Sequence, residues 1–276
     1  MEKILYVTDA VQMNMQCLDF ACFLCNLTHS KLTGAFLENL ENEVRSKERL
    51  LETAIGADLP GKSVKEIKEI YSEDNIRHFK EACTARGVNY AVHHDRGIPI
   101  IEVIEESRYA DLIIIDSGTS FTEGEQRTPT GFVREVLRLS ECPVVIAPAH
   151  FEEIDEIVFT YNNSRSAAFA IKQFTQLFPQ LRNRKAVILG ITPPGKTIGD
   201  KYKLKEWLRT HYTDPVFILL ESRNTRQRLL HYLLGKQRVF VVMGAYGRGI
   251  LSNLFAPSHA NAVVNAVPHP VFITHG

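Results

Sequence analysis

The sequence lacks any apolar run long enough to span a membrane. Its hydrophobic stretches are short, whereas a transmembrane helix needs about 20 consecutive, mostly apolar residues. The N-terminus enters a strand-like run at once and lacks the layout of a secretory signal. We therefore expect a cytoplasmic protein that makes no membrane contact.

Disulfides, net charge and basic clusters are also lacking. The five cysteines are an odd number, which argues against a disulfide framework. Cys22 and Cys25 form a CxxC pair in a largely apolar, helix-like segment, but no second CxxC pair and no histidine pair completes a zinc site. We expect both to pack as small buried hydrophobic side chains.

The formal net charge is zero, and no basic run with interleaved aromatic residues indicates a nucleic-acid partner.

Catalytic and metal-binding signatures are missing as well. The sequence has no G-x-S-x-G nucleophile motif and no paired carboxylates that the sequence alone identifies as catalytic. His93, His94 and Asp95 resemble a metal cluster, yet adjacent residues of a strand point to opposite faces. We therefore predict neither catalytic residues nor a metal site, and interpret the two histidines as a pair near the end of a strand.

Short apolar runs rich in β-branched residues alternate with helix-like segments along the whole chain. The strands predicted in the first half are residues 3–8, 31–37, 88–93, 111–115 and 143–147. Those predicted in the second half are residues 157–161, 185–191, 216–220, 239–243 and 271–274. Alternation of this kind implies parallel sheets with right-handed crossovers and helices on both faces. The predicted fold class is α/β, with two tandem doubly wound five-stranded parallel sheets.

The second half repeats the first. The run IVFTY at residues 157–161 corresponds to ILYVT near the start, and CPVVI at 142–146 corresponds to HPVFI at 269–273. This repeat predicts duplicated domains at 1–150 and 151–276. Residues 1–150 contain 16 basic and 24 acidic residues, whereas residues 151–276 contain 16 and 8. The opposite charges can steer the halves together or attract an anion to the second.

The most informative stretch is residues 238–258. A buried strand at 239–243 leads into Gly244 and Gly247, and Pro257 with Ser258 precedes another regular segment. A strand, a glycine turn and a helix start are how α/β proteins bring backbone N–H groups close to a phosphate.

These residues resemble the nucleotide motif of universal stress proteins, G-x2-G-x9-G-[ST], and the chain is similar in both halves to a tandem member of that family. Gly244 and Gly247 supply the first part, and nine residues separate them from Pro257 and Ser258. The third glycine of the motif is therefore proline in this chain. Proline fixes φ and has no N–H to donate.

The resemblance implies ATP or AMP binding in the C-terminal domain. The cofactor-binding residues that it implies are Asn162, Ile191, Met243, Gly244, Gly247, Arg248, Ser258 and His259. Asn162 stands where the family has an aspartate at the end of the first strand, and Ile191 matches a position where the backbone meets adenine. Ser258 can donate a hydroxyl hydrogen bond, while Arg248 and His259 can offset the N–H that proline lacks.

The same motif is degenerate in the first half. Asp116 replaces the first glycine, and Thr130 with Gly131 stands where the glycine–serine pair belongs. A carboxylate repels a polyphosphate. We therefore expect no nucleotide in the N-terminal domain, and Asp9 at the end of its first strand to serve as a local hydrogen-bond acceptor.

A competing motif lies at residues 190–197, which match the P-loop pattern G-x4-G-K-[ST]. Pro193 and Pro194 occupy positions whose N–H groups should cradle a phosphate, and proline has none. No Walker B strand follows. The sequence favours a proline-rich connecting loop.

The predicted function is that of a non-catalytic universal stress protein linked to an adenine nucleotide. The resemblance implies an intrachain pseudo-dimer in which the fifth strands, 143–147 and 271–274, lie edge to edge; a further homodimer and an unknown protein partner stay open. The alternatives are a nucleotide-free scaffold with both sites degenerate and, less favoured, a slow ATPase or P-loop NTPase.

Overall fold

The computed structural model describes residues 1–39, 63–122, 128–199, 201–244 and 268–274. Strands alternate with helices through these residues, as the sequence pattern predicted. The chain divides into two compact units, one with the described elements up to Glu141 and the other with those from Cys142 onward. Among the described helices, none is long and apolar enough to cross a membrane.

The first unit is built on a parallel sheet. Its strands are β1 (Lys3–Asp9), β2 (Lys31–Asn39), β3 (Tyr90–Gly97) and β4 (Leu112–Ile115). Its helices are α1 (Met15–Thr28), α2 (Val64–Ala85), α3 (Pro99–Ser107) and α4 (Gly131–Leu139). The strand order is β3-β2-β1-β4. β4 is buried along its whole length, which fits its uninterrupted apolar sequence.

Both ends of α2 follow from local sequence. Ser63 and Glu66 form a capping box in which each side chain accepts the backbone N–H of the other, at 3.3 and 2.7 Å. At the far end Gly87 adopts a φ of 67°, and the Val88 N–H donates to the Cys83 carbonyl at 2.9 Å. The N–H of Val88 therefore belongs to the end of α2 and not to the strand that follows. The strand predicted at 88–93 therefore begins at Tyr90, and its pairing with β2 extends it to Gly97.

The second unit has a mostly parallel sheet. Its strands are β5 (Val144–Ile146), β6 (Glu156–Thr160), β7 (Lys185–Thr192), β8 (Val216–Glu221), β9 (Val239–Gly244) and β10 (Val271–Thr274). Its helices are α5 (Arg165–Leu177), α6 (Lys201–Arg209) and α7 (Thr225–Leu234). The strand order is β5-β10-β9-β6-β7-β8, and only the β5–β10 pair among these is antiparallel.

An aromatic cluster fixes α5 on this sheet. The ring of Phe174 in α5 packs edge-on against Phe159 of β6, Phe240 of β9 and Phe272 of β10, with centroids 5.7, 4.9 and 5.3 Å away. All four side chains are fully buried. Edge-to-face aromatic pairs add to the stabilisation from buried apolar area. The cluster thereby holds α5 against three neighbouring strands.

The fifth strands of the two sequence repeats pair with each other. Val144, Val145 and Ile146 lie opposite Ile273, Phe272 and Val271 in antiparallel register. The predicted edge-to-edge contact is confirmed. Each half supplies five of the described strands, and this pairing groups β5 with the second unit, so the described strands divide four and six between the units. The domain limits 1–150 and 151–276 describe the sequence repeat and stay a prediction.

Candidate functional site

The predicted nucleotide site falls at the carboxyl ends of β6, β7 and β9, three neighbouring strands. Asn162 follows β6, and Ile191 lies one residue before the end of β7. Met243 and Gly244 end β9. Open α/β sheets bind ligands beyond the carboxyl ends of their strands. The other predicted site residues lie outside the described residues: Gly247, Arg248, Ser258 and His259.

The last two residues of β9 are held by packing. A Cβ built on Gly244 would lie 2.4 Å from the carbonyl carbon and oxygen of Ser166, and 2.7 Å from the nitrogen of Ala167. These backbone atoms belong to the first turn of α5 and cannot rotate away as a side chain does. Met243 lies in register with Ile273 of β10 and is 5% exposed. Packing alone therefore explains the glycine, and the Met243 side chain belongs to the core.

Asn162 and its neighbours fix the start of α5. Asn162 Oδ1 accepts the N–H of Ser164 at 3.1 Å, and Ser164 Oγ accepts that of Ala167 at 3.2 Å as the N-cap. Asn163 adopts a φ of 63°, which asparagine tolerates better than most residues. Its Oδ1 accepts a hydrogen bond from the Tyr161 hydroxyl at 2.9 Å. Asn162 thus has a local structural role, and its side chain stays exposed.

The backbone of Ile191 faces the space beyond β6. The Leu189 carbonyl accepts the N–H of Tyr161 at 2.9 Å, toward β6, and the Thr192 carbonyl accepts that of Ser222 at 2.8 Å, toward β8. Hydrogen-bonding direction alternates along a strand that has a neighbour on each side. The carbonyl of Ile191 is therefore directed to the β6 side, where the chain has already turned away at the start of α5.

Residues 190–197 match the P-loop pattern but form a turn. The Lys196 N–H donates to the Pro193 carbonyl at 3.1 Å, and Gly195, with a φ of 75°, donates its N–H to the Glu221 carboxylate at 3.3 Å. A carboxylate therefore takes an N–H that a P-loop would offer to phosphate. The next helix, α6, begins only at Lys201. The predicted connecting loop is confirmed.

In the first unit, Asp116 follows β4 at the position where the motif has glycine. Its Oδ2 accepts the N–H of Gly118 at 3.0 Å, and the Ser117 N–H and the Asn14 side chain also donate to this carboxylate. Burial raises the pKa of Asp116, and the three hydrogen bonds oppose that rise. The N–H groups of the loop thus serve its own carboxylate, which opposes polyphosphate binding.

Asp9 ends β1 and has a local role. Its side chain is buried, and Oδ1 accepts the N–H of Val11 at 2.8 Å. The next carbonyl, of Ala10, accepts a hydrogen bond from Asn75 Nδ2 of α2 at 2.9 Å. The prediction that Asp9 is a local hydrogen-bond acceptor is confirmed.

His93 and His94 contact different carboxylates. His93 Nδ1 lies 2.6 Å from Glu106 Oε1 of α3, whereas His94 Nε2 lies 2.7 Å from Glu38 Oε1 of β2. Separate partners are what a pair of adjacent strand residues with opposite facing side chains should have. Across the described ranges, no group of three or more His, Cys, Asp or Glu side chains is arranged to hold a metal ion.

One polar cluster was missed because its members are far apart in the sequence. Ser72 Oγ of α2 lies 3.2 Å from His94 Nε2, which also contacts Glu38. In a hydrolase triad the serine and the carboxylate contact opposite nitrogens of the histidine ring. Here both contact Nε2, and Ser72 is fully buried. The cluster therefore ties α2 to the sheet and does not have the geometry of a triad.

All five cysteines are free and buried. Cys22 is 0% and Cys25 1% exposed, and burial raises the pKa of the Cys25 thiol. A buried thiol with a raised pKa is a poor nucleophile. The prediction that the CxxC pair packs as small hydrophobic side chains is confirmed.

Comparison of folds is more informative than comparison of sequences. No protein-family model and no curated protein matches the chain. Solved structures do match along its whole length. A universal stress protein from Archaeoglobus fulgidus DSM 4304 superposes with a TM-score of 0.70 at 15% identity, covering 99% of this chain and 98% of that one.

Two structures from Pseudomonas aeruginosa match over the same length. A putative universal stress protein from strain UCBPP-PA14 has a TM-score of 0.58 at 14% identity, covering 99% of this chain and 93% of that one. A functionally unknown protein from strain PAO1 has a TM-score of 0.57 at 14% identity, covering 99% and 92%. At these identities the likeness shows the fold alone, and it extends over both halves of the chain.

Proposed function

We propose that this chain, which has the tandem fold of the universal stress proteins, is a non-catalytic member of that family that acts in the cytoplasm and binds ATP or AMP in its second unit. The likeness to a universal stress protein over 99% of the chain supports the tandem type. The ligand is inferred from the glycine motif that follows β9 and from the residues around its start.

The observation that carries the proposal is the juxtaposition of Ile191 and Asn162 beyond the end of β6. The carbonyl of Ile191 is directed to the β6 side, and Asn162, two residues beyond the end of β6, has an exposed side chain. A backbone carbonyl can accept a hydrogen bond from the exocyclic amine of adenine, and an amide can both donate to and accept from ribose hydroxyls. The described residues therefore fit the nucleoside part of the ligand.

The phosphate end of the site is assigned from the sequence. Gly247 would let the backbone approach a phosphate, and Ser258 and Arg248 would donate to its oxygens. His259 would donate beside Pro257, which has no N–H. The 16 basic and 8 acidic residues of 151–276 favour an anionic ligand in this half.

Isothermal titration with ATP and with AMP tests the proposal. We expect the wild type to bind both nucleotides, and Gly247→Asp to bind neither, because a carboxylate in the loop repels phosphate. Gly235→Asp is the matched control, since Gly235 has a φ of −81° and an added Cβ would meet nothing closer than 3.7 Å. It should bind as the wild type does.

Thermal unfolding of the three proteins shows whether both variants are folded. The absence of heat from the folded wild type at millimolar nucleotide would refute nucleotide binding. Equal loss of binding in Gly235→Asp and Gly247→Asp would refute the assignment to the loop.

A nucleotide-free protein that binds a protein partner is the second candidate. It is favoured by the finding that packing against α5 explains Gly244 and that a turn at the start of α5 explains Asn162, in both cases without a ligand. Native mass spectrometry of the purified protein distinguishes the two candidates, because it reports bound nucleotide and subunit number together. A co-purifying adenine nucleotide would exclude this second candidate.

A further inference from the structure

The first unit contains an open cavity of about 640 Å³ beside its degenerate nucleotide motif, and Gly131 of that motif is among the lining residues. It lies between residues 98–100 at the start of α3, Phe121 in the loop after β4, and Phe132 in the first turn of α4. Small-molecule sites occupy roughly 300–1,000 Å³. The cavity therefore has room for one small organic ligand.

One wall of the cavity is apolar. Phe121 is 9% exposed, and its ring packs edge-on against Phe132 with the centroids 4.7 Å apart. Ile98, Pro99 and Ile100 also line the cavity. Two locked aromatic rings and branched aliphatic side chains form a rigid surface, which suits an aromatic or branched apolar group.

Two arginines also line the cavity. Arg134 and Arg138 are one helical turn apart on α4, and both line the cavity and are exposed. Within the described residues, neither has a carboxylate partner. The other arginines described in this unit all have one: Arg77, Arg86, Arg96 and Arg108. Glu135 also lines the cavity, so among the described lining residues the charged side chains leave an excess of one positive charge.

A further feature favours an anion at the two arginines. Like charges four residues apart destabilise a helix, and an anion bound between Arg134 and Arg138 would relieve this repulsion.

We infer that this cavity binds a small organic carboxylate with an aromatic or branched aliphatic body. The planar guanidinium groups match a carboxylate through paired hydrogen bonds, and the apolar wall takes the body of the molecule. Such a site is separate from the nucleotide site proposed in the second unit. Asp116 in the neighbouring loop is not among the residues that line the cavity.

Displacement of a fluorescent probe tests the site. Anilinonaphthalenesulfonate, which combines an aromatic body with one negative charge, should fluoresce with the native protein and be displaced by benzoate. Benzyl alcohol has the same ring without the charge, and acetate has the charge without the ring. We expect each to bind about tenfold more weakly than benzoate or worse, because each lacks one of the two interactions.

A pair of double variants assigns the binding to the cavity. Arg134→Gln with Arg138→Gln should weaken benzoate binding about tenfold or more through loss of charge-assisted hydrogen bonds. Arg77→Gln with Arg108→Gln removes the same charge from exposed positions elsewhere in the unit and should leave benzoate binding unchanged. Ile100→Glu, which adds a carboxylate to the apolar wall, should abolish it.

The proposal would be overturned if benzyl alcohol displaced the probe as well as benzoate, or if the two double variants bound benzoate alike. Displacement by inorganic phosphate at benzoate's concentration would identify a phosphate site instead. Displacement of the probe by ATP but not by benzoate would identify a nucleotide site, and this result would also overturn the proposal.

Discussion

The Asp116 carboxylate accepts the N–H of Gly118 at 3.0 Å, within the loop that follows β4. A hydrogen bond over two residues is a common way for aspartate to shape a turn. Here it also gives the loop an anion of its own, at the position where the corresponding loop of the second half has Gly244. The duplicated halves therefore differ in charge at equivalent points of the fold.

Asp116→Asn should increase stability at neutral pH. Burial raises the pKa of Asp116 in the folded protein above the ordinary aspartate pKa. The wild type is therefore most stable at pH values below the ordinary aspartate pKa, and it loses stability as the pH rises through the pKa of the folded state. Asparagine can still accept the Gly118 N–H and carries no charge at this half-buried position. Urea unfolding at pH 3.5 and pH 7 should show an advantage of the variant that grows with pH.

The exposed Asp214 provides the control for this experiment. The free energy of unfolding should change between pH 3.5 and pH 7 by the same amount in Asp214→Asn as in the wild type. An advantage of Asp116→Asn that was the same at both pH values would contradict the assigned titration.

Gly244→Ala should destabilise the second unit whether or not a nucleotide binds. The new Cβ would lie 2.4 Å from backbone atoms of Ser166, and overpacking of this kind costs about 2–3 kcal/mol. Gly235→Ala is the matched control: it meets only ordinary contacts at 3.7 Å and should gain about 0.5 kcal/mol by restricting the unfolded chain. Urea unfolding without nucleotide measures both changes, and equal stability of the two variants would contradict the packing.

Sequence periodicity predicted the order of strands and helices, because short buried strands and amphipathic helices differ in their repeat of apolar residues. It placed the third strand at 88–93, since the pattern does not show that Val88 closes the end of α2. The pairing of the two fifth strands was implied by the resemblance and not by periodicity, because strand pairing is decided by contacts far away in the sequence.

The limits of prediction were similar at the candidate site. The resemblance to the family, and no local pattern, implies Asn162 and Ile191 as site residues; both lie near the carboxyl ends of neighbouring parallel strands. The glycine at 244 was interpreted through a ligand, although the backbone of Ser166 already requires it. Ser72 with His94, and Arg134 with its cavity, depend on packing between elements, and no local pattern encodes this.

Glu156→Gln should reveal a buried charge cluster at the start of β6. Glu156 accepts hydrogen bonds from Lys236 at 2.8 and 3.1 Å and from Lys185 at 2.9 Å. Burial raises its pKa, but the two lysines outweigh this effect and hold the pKa below the ordinary value. The stabilisation by the ionised Glu156 is thus fully present at pH values above the ordinary glutamate pKa. It is lost as the pH falls through the lower pKa that Glu156 has in the folded state.

At pH 7 this substitution should reduce the free energy of unfolding by about 2 kcal/mol, the contribution of hydrogen bonds to a charged group. At pH 3 the loss should be smaller, because protonation has already weakened the cluster in the wild type. Glu152→Gln, at an exposed position nearby, should change stability little at either pH. A loss that did not depend on pH would show that the charge of Glu156 is not responsible.

Lys196→Ala tests which of the two phosphate-binding motifs in the second half contacts ATP. In the turn at 190–197 Lys196 acts through its backbone N–H and carbonyl, and its side chain is exposed. Alanine keeps both backbone groups, so ATP affinity measured by titration should stay within about twofold, whereas a P-loop lysine contacts the β- and γ-phosphates directly. Arg248→Ala, in the other motif, should weaken ATP by about tenfold, because a charge-assisted hydrogen bond to phosphate is lost. Loss of ATP binding in Lys196→Ala with AMP binding unchanged would instead assign the terminal phosphates to the 190–197 turn, against the hydrogen bond that Gly195 makes to Glu221.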